Sequence, residues 1–99
     1  MQIKDMRDGE RLTVALEGRL DTVTAPMVEK KMGELLEGVS ELVLDMTKVE
    51  YVSSAGLRVI LKVQKVMFNQ GKMKLTGVNE IVMEVLEITG FANILHIES

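Results

Sequence analysis

The sequence contains no cysteine and no tryptophan, one proline, and no apolar run that approaches the ~20 residues of a membrane-spanning helix. Without cysteine the chain has no disulfide framework and no thiolate that could serve as a nucleophile or metal ligand. This composition is compatible with a reducing cytosol, and the N-terminus has no apolar signal segment. We therefore expect a cytoplasmic protein that does not cross a membrane.

Neither sign of charge is in large excess. Twelve Lys and Arg residues face fifteen Asp and Glu residues, for a net charge of −3, and the two signs are interspersed along the chain. Proteins that bind nucleic acid usually carry a basic patch or stripe that neutralises phosphates, and this sequence has none. We expect no nucleic-acid partner.

Aromatic residues make up only 3% of the chain, although 46% of its residues are hydrophobic. The core must therefore be built from Leu, Ile and Val, with the eight methionines as flexible gap fillers. A length of 99 residues fits one compact domain over residues 1–99.

Hydrophobic periodicity predicts strands that alternate with helices. Residues 11–18 alternate strictly after an Asp8-Gly9 turn signal, which predicts an antiparallel hairpin over residues 2–18. Helical spacing follows Pro26, and Gly38 is predicted to be the C′ residue of that helix. The remaining predicted elements are a strand at 42–46, a helix at 55–69, a strand at 72–76, a helix from the Asn79 cap to a stop at Gly90, and a final strand or extended tail at 94–97.

This order, β-β-α-β-α-β-α-(β), predicts an α/β fold with a single-layer, mixed, mostly parallel sheet of four to five strands and three or more helices. Crossovers between parallel strands are right-handed and place the loops after the second, third and fourth strands at one edge of the sheet. We therefore expect residues 21–22, 53–54 and 77–79 to lie close together. Ligands and partners of open α/β sheets commonly bind at that edge.

Two serines occupy the point where a buried strand leads into a long helix. Helix N-termini carry unpaired N–H groups and a positive dipole end, so Ser54 either caps the helix or offers a hydroxyl where an added phosphate is tolerated. Gly56 lowers helix propensity, which suggests that another segment approaches closely there. Leu57 and Arg58 either contact a partner or serve as a core residue and a solvated charge, respectively.

The sequence gives little support for an enzyme. A nucleophilic serine needs a base, and the single histidine, His96, is predicted on a weak edge strand. Residues 53–56 lack the flanking glycine of a G-x-S-x-G elbow, and the chain has no Walker-type phosphate loop or clustered metal ligands. We predict no catalysis, no metal and no cofactor.

Several segments together resemble the STAS domain family, and within it the bacterial anti-sigma factor antagonists. The resemblance covers essentially the whole chain, and its most specific part is the serine turn. The matching segments are residues 42–45 (LVLD), 49–61 (VEYVSSAGLRVIL), 18–21 (GRLD) with Thr24-Ala25, 71–75 (GKMKL) and 86–94 (LEITGFANI).

The resemblance implies a partner-switching regulator of transcription. Such a protein binds an anti-sigma factor serine kinase and frees a sigma factor. Phosphorylation of one serine ends the binding, and a phosphatase of the PP2C type reverses it. On this chain the resemblance places the phosphoacceptor at Ser54, with Ser53 as second choice. It also implies a partner-binding surface made of Asp21, Thr22, Ser53, Ser54, Gly56, Leu57 and Arg58.

The chain departs from the family pattern beside the acceptor. The family has Asp directly before the acceptor and Ser or Thr directly after it, whereas this chain has Ser53 and Ala55. The missing carboxylate favours an alternative function, a STAS adaptor subunit of a signalling or transport complex that is never phosphorylated. The exposed edge of the opening hairpin allows pairing, so we expect a monomer or a weak dimer.

Overall fold

The computed structural model describes residues 1–98 and confirms the predicted order of elements. They are β1 (Gln2–Asp8), β2 (Arg11–Leu20), α1 (Ala25–Leu35), β3 (Glu41–Val52), α2 (Ser54–Gln70), β4 (Lys72–Thr76), α3 (Glu80–Ile88), a 3₁₀ turn (Phe91–Asn93) and β5 (Ile97–Glu98).

One five-stranded sheet runs through the molecule in the order β1-β2-β3-β4-β5. The β1–β2 pair is antiparallel, and the three other pairs are parallel. Each parallel strand lies beside its predecessor, so three right-handed crossovers in one direction place all three helices on the same face of the sheet. The predicted mixed, mostly parallel sheet is therefore confirmed.

The core lies between this helical layer and one face of the sheet. The alternating residues Leu12, Val14 and Leu16 of β2 are buried, and Leu12 and Val14 are paired with the buried Leu42 and Leu44 of β3. The residues between them face the other side of the sheet. That side carries the ion pairs Lys4–Glu17, Arg11–Glu41 and Lys74–Glu98.

Three predicted boundaries are wrong. The strand predicted at 42–46 continues to Val52, because register shifts between Ala15 and Glu17 and between Gly18 and Arg19 of β2 accommodate two extra β3 residues, so the polar residues after Asp45 remain in the strand. Helix α1 ends at Leu35 with Leu36 as C-cap, so Gly38, at φ +75°, is C″ rather than C′. The last strand is only Ile97–Glu98.

Candidate functional site

The ends of β2 and β3 meet at one edge of the sheet. Leu20 and Val52 are paired in register, and the N–H of Ser53 donates to the carbonyl oxygen of Leu20 at 2.9 Å. The loop that begins with Asp21 and the turn that begins with Ser53 are therefore neighbours. Two of the three loops expected at this edge do meet there.

The third loop lies elsewhere. β4 ends at Thr76, which is paired with Asp45, whereas β3 continues for seven more residues, a rise of about 23 Å. The loop after β4 consequently packs beside the middle of β3, where the Asn79 side-chain amide donates to the Val49 carbonyl oxygen at 2.9 Å. The expectation that residues 77–79 join the serine turn is wrong, because β3 is longer than predicted.

Ser53 and Ser54 have different structural roles. Ser53 is the N-cap of α2: its backbone is extended, and its Oγ accepts a hydrogen bond from the Gly56 N–H at 3.3 Å. Ser54 is the first helical residue, is exposed, and makes no side-chain hydrogen bond within residues 1–98. The interpretation of Ser54 as the cap is wrong, because the cap is one residue earlier. The Ser54 hydroxyl is left facing solvent beside unpaired N–H groups of the first turn.

Gly56 permits the close contact between α2 and the end of β2. A Cβ at this position would lie 2.6 Å from the Leu20 carbonyl oxygen and 3.1 Å from Cγ1 of Val52. Leu57 is only 4% exposed and packs in the core, whereas Arg58 is exposed on the first turn. Glycine therefore allows the serine turn to pack directly against the neighbouring strand end.

Asp21 organises the loop before α1. Its Oδ1 accepts hydrogen bonds from the N–H groups of Val23 and Thr24 at 3.0 and 3.1 Å, while its own N–H donates to Thr24 Oγ1 at 2.9 Å. The Thr24 N–H is the main cause that lowers the pKa of Asp21 below its usual value, and Arg19 contributes. The carboxylate is 29% exposed, so it keeps a negative charge at the surface beside the serine turn, and Thr22 is exposed next to it.

Arg19 and Tyr51 also belong to this edge, although sequence reasoning did not identify them. The two residues are paired across β2 and β3, and the Arg19 guanidinium carbon lies 4.9 Å from the centre of the Tyr51 ring. Arg19 Nε is also 3.8 Å from Asp21 Oδ2. Their position in the sequence could have identified them, because Arg19 lies two residues before Asp21 and Tyr51 lies two residues before Ser53.

The single histidine lies away from the serine turn. His96 precedes β5 and its backbone pairs with β4, so it is not adjacent to the end of β3. Among residues 1–98 no group of three or more His, Cys, Asp or Glu side chains could hold a metal ion. None of the helices described is long and apolar enough to span a membrane. The exposed hydroxyl at a helix start, with a charged loop beside it, is suited to protein contact and to an added anion.

Comparisons with known proteins agree with this geometry. The STAS domain family matches residues 3–99. BtrV of Bordetella bronchiseptica, named as a candidate anti-sigma factor antagonist, is 37% identical over 92 residues, which cover 91% of this chain and 78% of BtrV. The anti-sigma-B factor antagonist of Listeria monocytogenes is 30% identical over 102 residues, covering all of this chain and 88% of the relative.

Solved structures show the same fold. The crystal structure of an anti-sigma factor antagonist from Mycobacterium paratuberculosis superimposes with a TM-score of 0.88 at 20% identity. The match covers 97% of this chain and 83% of that one. At this identity the similarity shows the arrangement of strands and helices alone.

Proposed function

Because the chain belongs to the STAS domain family, we propose that it is an anti-sigma factor antagonist whose binding is switched off by phosphorylation of Ser54. Two relatives that cover more than nine-tenths of the chain carry anti-sigma factor antagonist names, which supports the role. In this proposal the protein is a cytoplasmic binding module and not an enzyme. Its partners are an anti-sigma factor serine kinase and a phosphatase of the PP2C type.

One observation carries the choice of acceptor: Ser53 caps α2 with its own hydroxyl, and Ser54 does not. In the proposed transfer, Ser54 Oγ attacks the γ-phosphorus of ATP bound to the kinase. The bond to the β-phosphate oxygen breaks, ADP leaves, and a base of the kinase takes the hydroxyl proton. An acceptor already used as a cap would have to give up its hydrogen bond first. Ser53 therefore remains the second choice.

The proposed switch works through charge rather than unfolding. A phosphoserine carries nearly two negative charges at neutral pH. At the first position of α2 this charge is favoured by the helix dipole, by about 0.3–1 kcal/mol for an exposed group. Next to an acidic group of a bound partner the same charge is repulsive. A penalty of about 3 kcal/mol in the complex would weaken binding about a hundredfold.

The proposed partner surface surrounds Ser54. Thr22, Ser54 and Arg58 are exposed, and the half-buried Asp21 adds a fixed negative charge. The three remaining predicted residues, Ser53, Gly56 and Leu57, lie at or beneath this surface. Leu57 and Gly56 are buried, so in this proposal they position the first turn of α2, and the exposed residues make the contacts.

The test is phosphate transfer from the cognate kinase and ATP, with the site located by mass spectrometry of peptides. We expect one phosphate at Ser54 in the wild type, none in Ser54→Ala, and retained phosphorylation in Ser53→Ala. The Ser53 variant is the matched control, since it removes the neighbouring hydroxyl and costs about 1 kcal/mol of helix capping. Phosphate at Ser53, or no transfer by a kinase that binds the protein, would contradict the proposal.

A second candidate function is supported by the residue before the acceptor. Where the resemblance implies a carboxylate, this chain has the hydroxyl of Ser53, which is engaged as a cap. A STAS adaptor that docks to a signalling or transport complex without phosphorylation would need no such carboxylate. Affinity capture with the wild-type protein separates the two functions. Recovery of an ATP-binding kinase supports the switch, and recovery of a complex without a kinase supports the adaptor.

A further inference from the structure

The outer edge of β1 has no partner strand among the residues described. β1 is at one end of the sheet and pairs only with β2. It is seven residues long, and six of the seven are exposed. The opposite edge strand, β5, has only two residues. A long unpaired edge is a template for another strand, so β1 is the part of the sheet best able to pair with a second chain.

The backbone groups available at this edge can be assigned from the register. Asp8 and Arg11 are paired across a two-residue turn, which makes them a hydrogen-bonded pair. Hydrogen-bonded pairs alternate with non-bonded pairs in an antiparallel ladder. The N–H and C=O groups of Ile3, Asp5 and Arg7 therefore point away from β2, toward solvent.

We propose that the β1 edge binds β1 of a second copy of this chain, antiparallel, with Met6 opposite Met6 at the two-fold axis. In this register Asp5 lies opposite the second copy's Arg7, and Lys4 lies opposite its Asp8. Each pairing occurs twice, so four pairs of opposite charge form. Asp5 and Arg7 are also the residues with outward backbone groups, and they would exchange two hydrogen bonds per pair. The result is one continuous ten-stranded sheet with both helical layers on the same face.

The other symmetric registers are disfavoured by charge. A two-fold axis at Asp5 places Asp5 opposite Asp5, and an axis at Arg7 places Arg7 opposite Arg7. An axis at Lys4 places Lys4 opposite Lys4. Like charges directly opposite each other destabilise a strand pair. Of the registers with the two-fold axis at residues 4 to 7, only the one at Met6 places each charged residue of β1 opposite a residue of the other sign.

Arg7 is already held in place for this contact. Its Nε donates to the Gly9 carbonyl oxygen, and its Nη1 donates to the Glu37 carbonyl oxygen, each at 3.0 Å. The fixed, exposed guanidinium loses little freedom when it pairs with a carboxylate. Contact through a single strand buries a small area, so we expect a weak dimer with a dissociation constant on the order of 10⁻⁴ M.

The proposed dimer leaves the serine turn accessible. Met6 is paired with Thr13, which lies seven residues before Leu20 on β2, or about 23 Å along the strand. The two serine turns therefore lie at opposite ends of the joined sheet. Dimerisation and binding at the serine turn are separate, so failure of one proposal does not affect the other.

Sedimentation velocity over about 10 μM to 1 mM tests the dimer with three samples: Asp5→Arg, Arg7→Asp, and their equimolar mixture. Each variant alone places like charges opposite each other in both pairs between positions 5 and 7. We expect its self-association to fall about tenfold or more. The mixture restores opposite charges in both pairs, so a heterodimer should form with close to wild-type affinity. This rescue is the decisive measurement, because Arg7→Asp also removes two internal hydrogen bonds.

Lys65→Glu is the control, since it reverses an exposed charge on α2, away from β1, and should leave the dimer unchanged. Hydrogen exchange gives a second measurement: the amides of Asp5 and Arg7 should exchange more slowly as the concentration rises. A wild-type protein that stays monomeric at about 1 mM, or folded variants whose mixture fails to associate, would overturn the proposal.

Discussion

At the scale of single residues, Gly56 determines how closely α2 approaches β2. The sequence allowed the inference that something packs tightly there, because a glycine in a first helical turn costs helix propensity. The structure identifies the neighbour as Leu20, whose carbonyl oxygen also accepts the Ser53 N–H at 2.9 Å. Gly56 thus fixes the position of the serine turn relative to the Asp21 loop.

Gly56→Ala should lower the free energy of unfolding by about 1–2 kcal/mol. The added methyl would lie 2.6 Å from the Leu20 carbonyl oxygen, and overpacking of this kind outweighs the gain in helix propensity. Urea unfolding monitored by circular dichroism measures the change. The matched control is Gly33→Ala in α1, where an added Cβ meets nothing within 4 Å. It should raise the free energy by about 0.5–1 kcal/mol. Equal effects of the two substitutions would contradict this explanation.

At the scale of secondary-structure elements, the beginning of α1 depends on Asp21. Its carboxylate accepts the N–H groups of Val23 and Thr24, and Thr24 Oγ1 in turn donates to the Arg19 carbonyl oxygen at 2.7 Å. The bonds from N–H groups favour the ionised carboxylate, and the Thr24 N–H contributes most to the lowered pKa of Asp21. Ionisation of Asp21 is therefore linked to the stability of the turn that leads into α1.

This linkage predicts a pH dependence with a definite sign. Because the folded-state pKa of Asp21 is below its unfolded value, the stabilisation is present above the unfolded pKa and is lost as the pH falls through the folded pKa. Asp21→Asn should therefore be less stable than wild type at pH 7, with the difference shrinking as the pH is lowered from about 5 to about 2. Thermal unfolding across this range measures it.

Glu34→Gln is the control for the pH experiment. Glu34 is an exposed carboxylate of α1, with no side-chain hydrogen bond or ion pair to the other described residues. In Glu34→Gln, the plot of thermal stability against pH should run parallel to that of wild type. A difference between Asp21→Asn and wild type that stays constant from pH 7 to pH 2 would show that the charge of Asp21 is not the cause.

The elements differ in how far the sequence determines them. The alternation of residues 11–18 predicted β2 correctly, because one of its faces is buried and the other is not. The length of β3 could not be predicted, because Thr47, Lys48 and Glu50 interrupt the apolar pattern of its second half, which stays in the sheet through two register shifts against β2. The two serines could not be assigned separately from sequence, since either can cap a helix and only the backbone angles of Ser53 identify the cap.

At the scale of the whole molecule, the long β2 and β3 strands separate the serine turn and the Asp21 loop from the loop after β4. The loop after β4 packs against Thr47 and Val49 instead of the end of β3. The proposed partner surface is therefore built from two strand ends rather than three. A charge added at Ser54 lies at the surface of this end and away from the buried core.

The whole-molecule prediction is that a negative charge at position 54 changes binding without unfolding the domain. Ser54→Asp should leave the free energy of unfolding unchanged, or raise it by up to about 1 kcal/mol at low ionic strength, because the charge lies at the positive end of the α2 dipole. The gain should shrink at high salt. Affinity for the anti-sigma factor should fall about a hundredfold in calorimetry, the loss expected for about 3 kcal/mol of repulsion.

Asn69→Asp provides the matched control, because it adds the same charge to an exposed position near the other end of α2. The negative end of the dipole is there, so this variant should be less stable than Ser54→Asp by about 0.5–1 kcal/mol while binding the anti-sigma factor normally. Loss of affinity in both variants would mean that net charge, not its position, weakens the complex. If Ser54→Asp instead unfolds at a lower urea concentration than wild type, the first turn of α2 does not tolerate an anion, and a switch that preserves the fold is excluded.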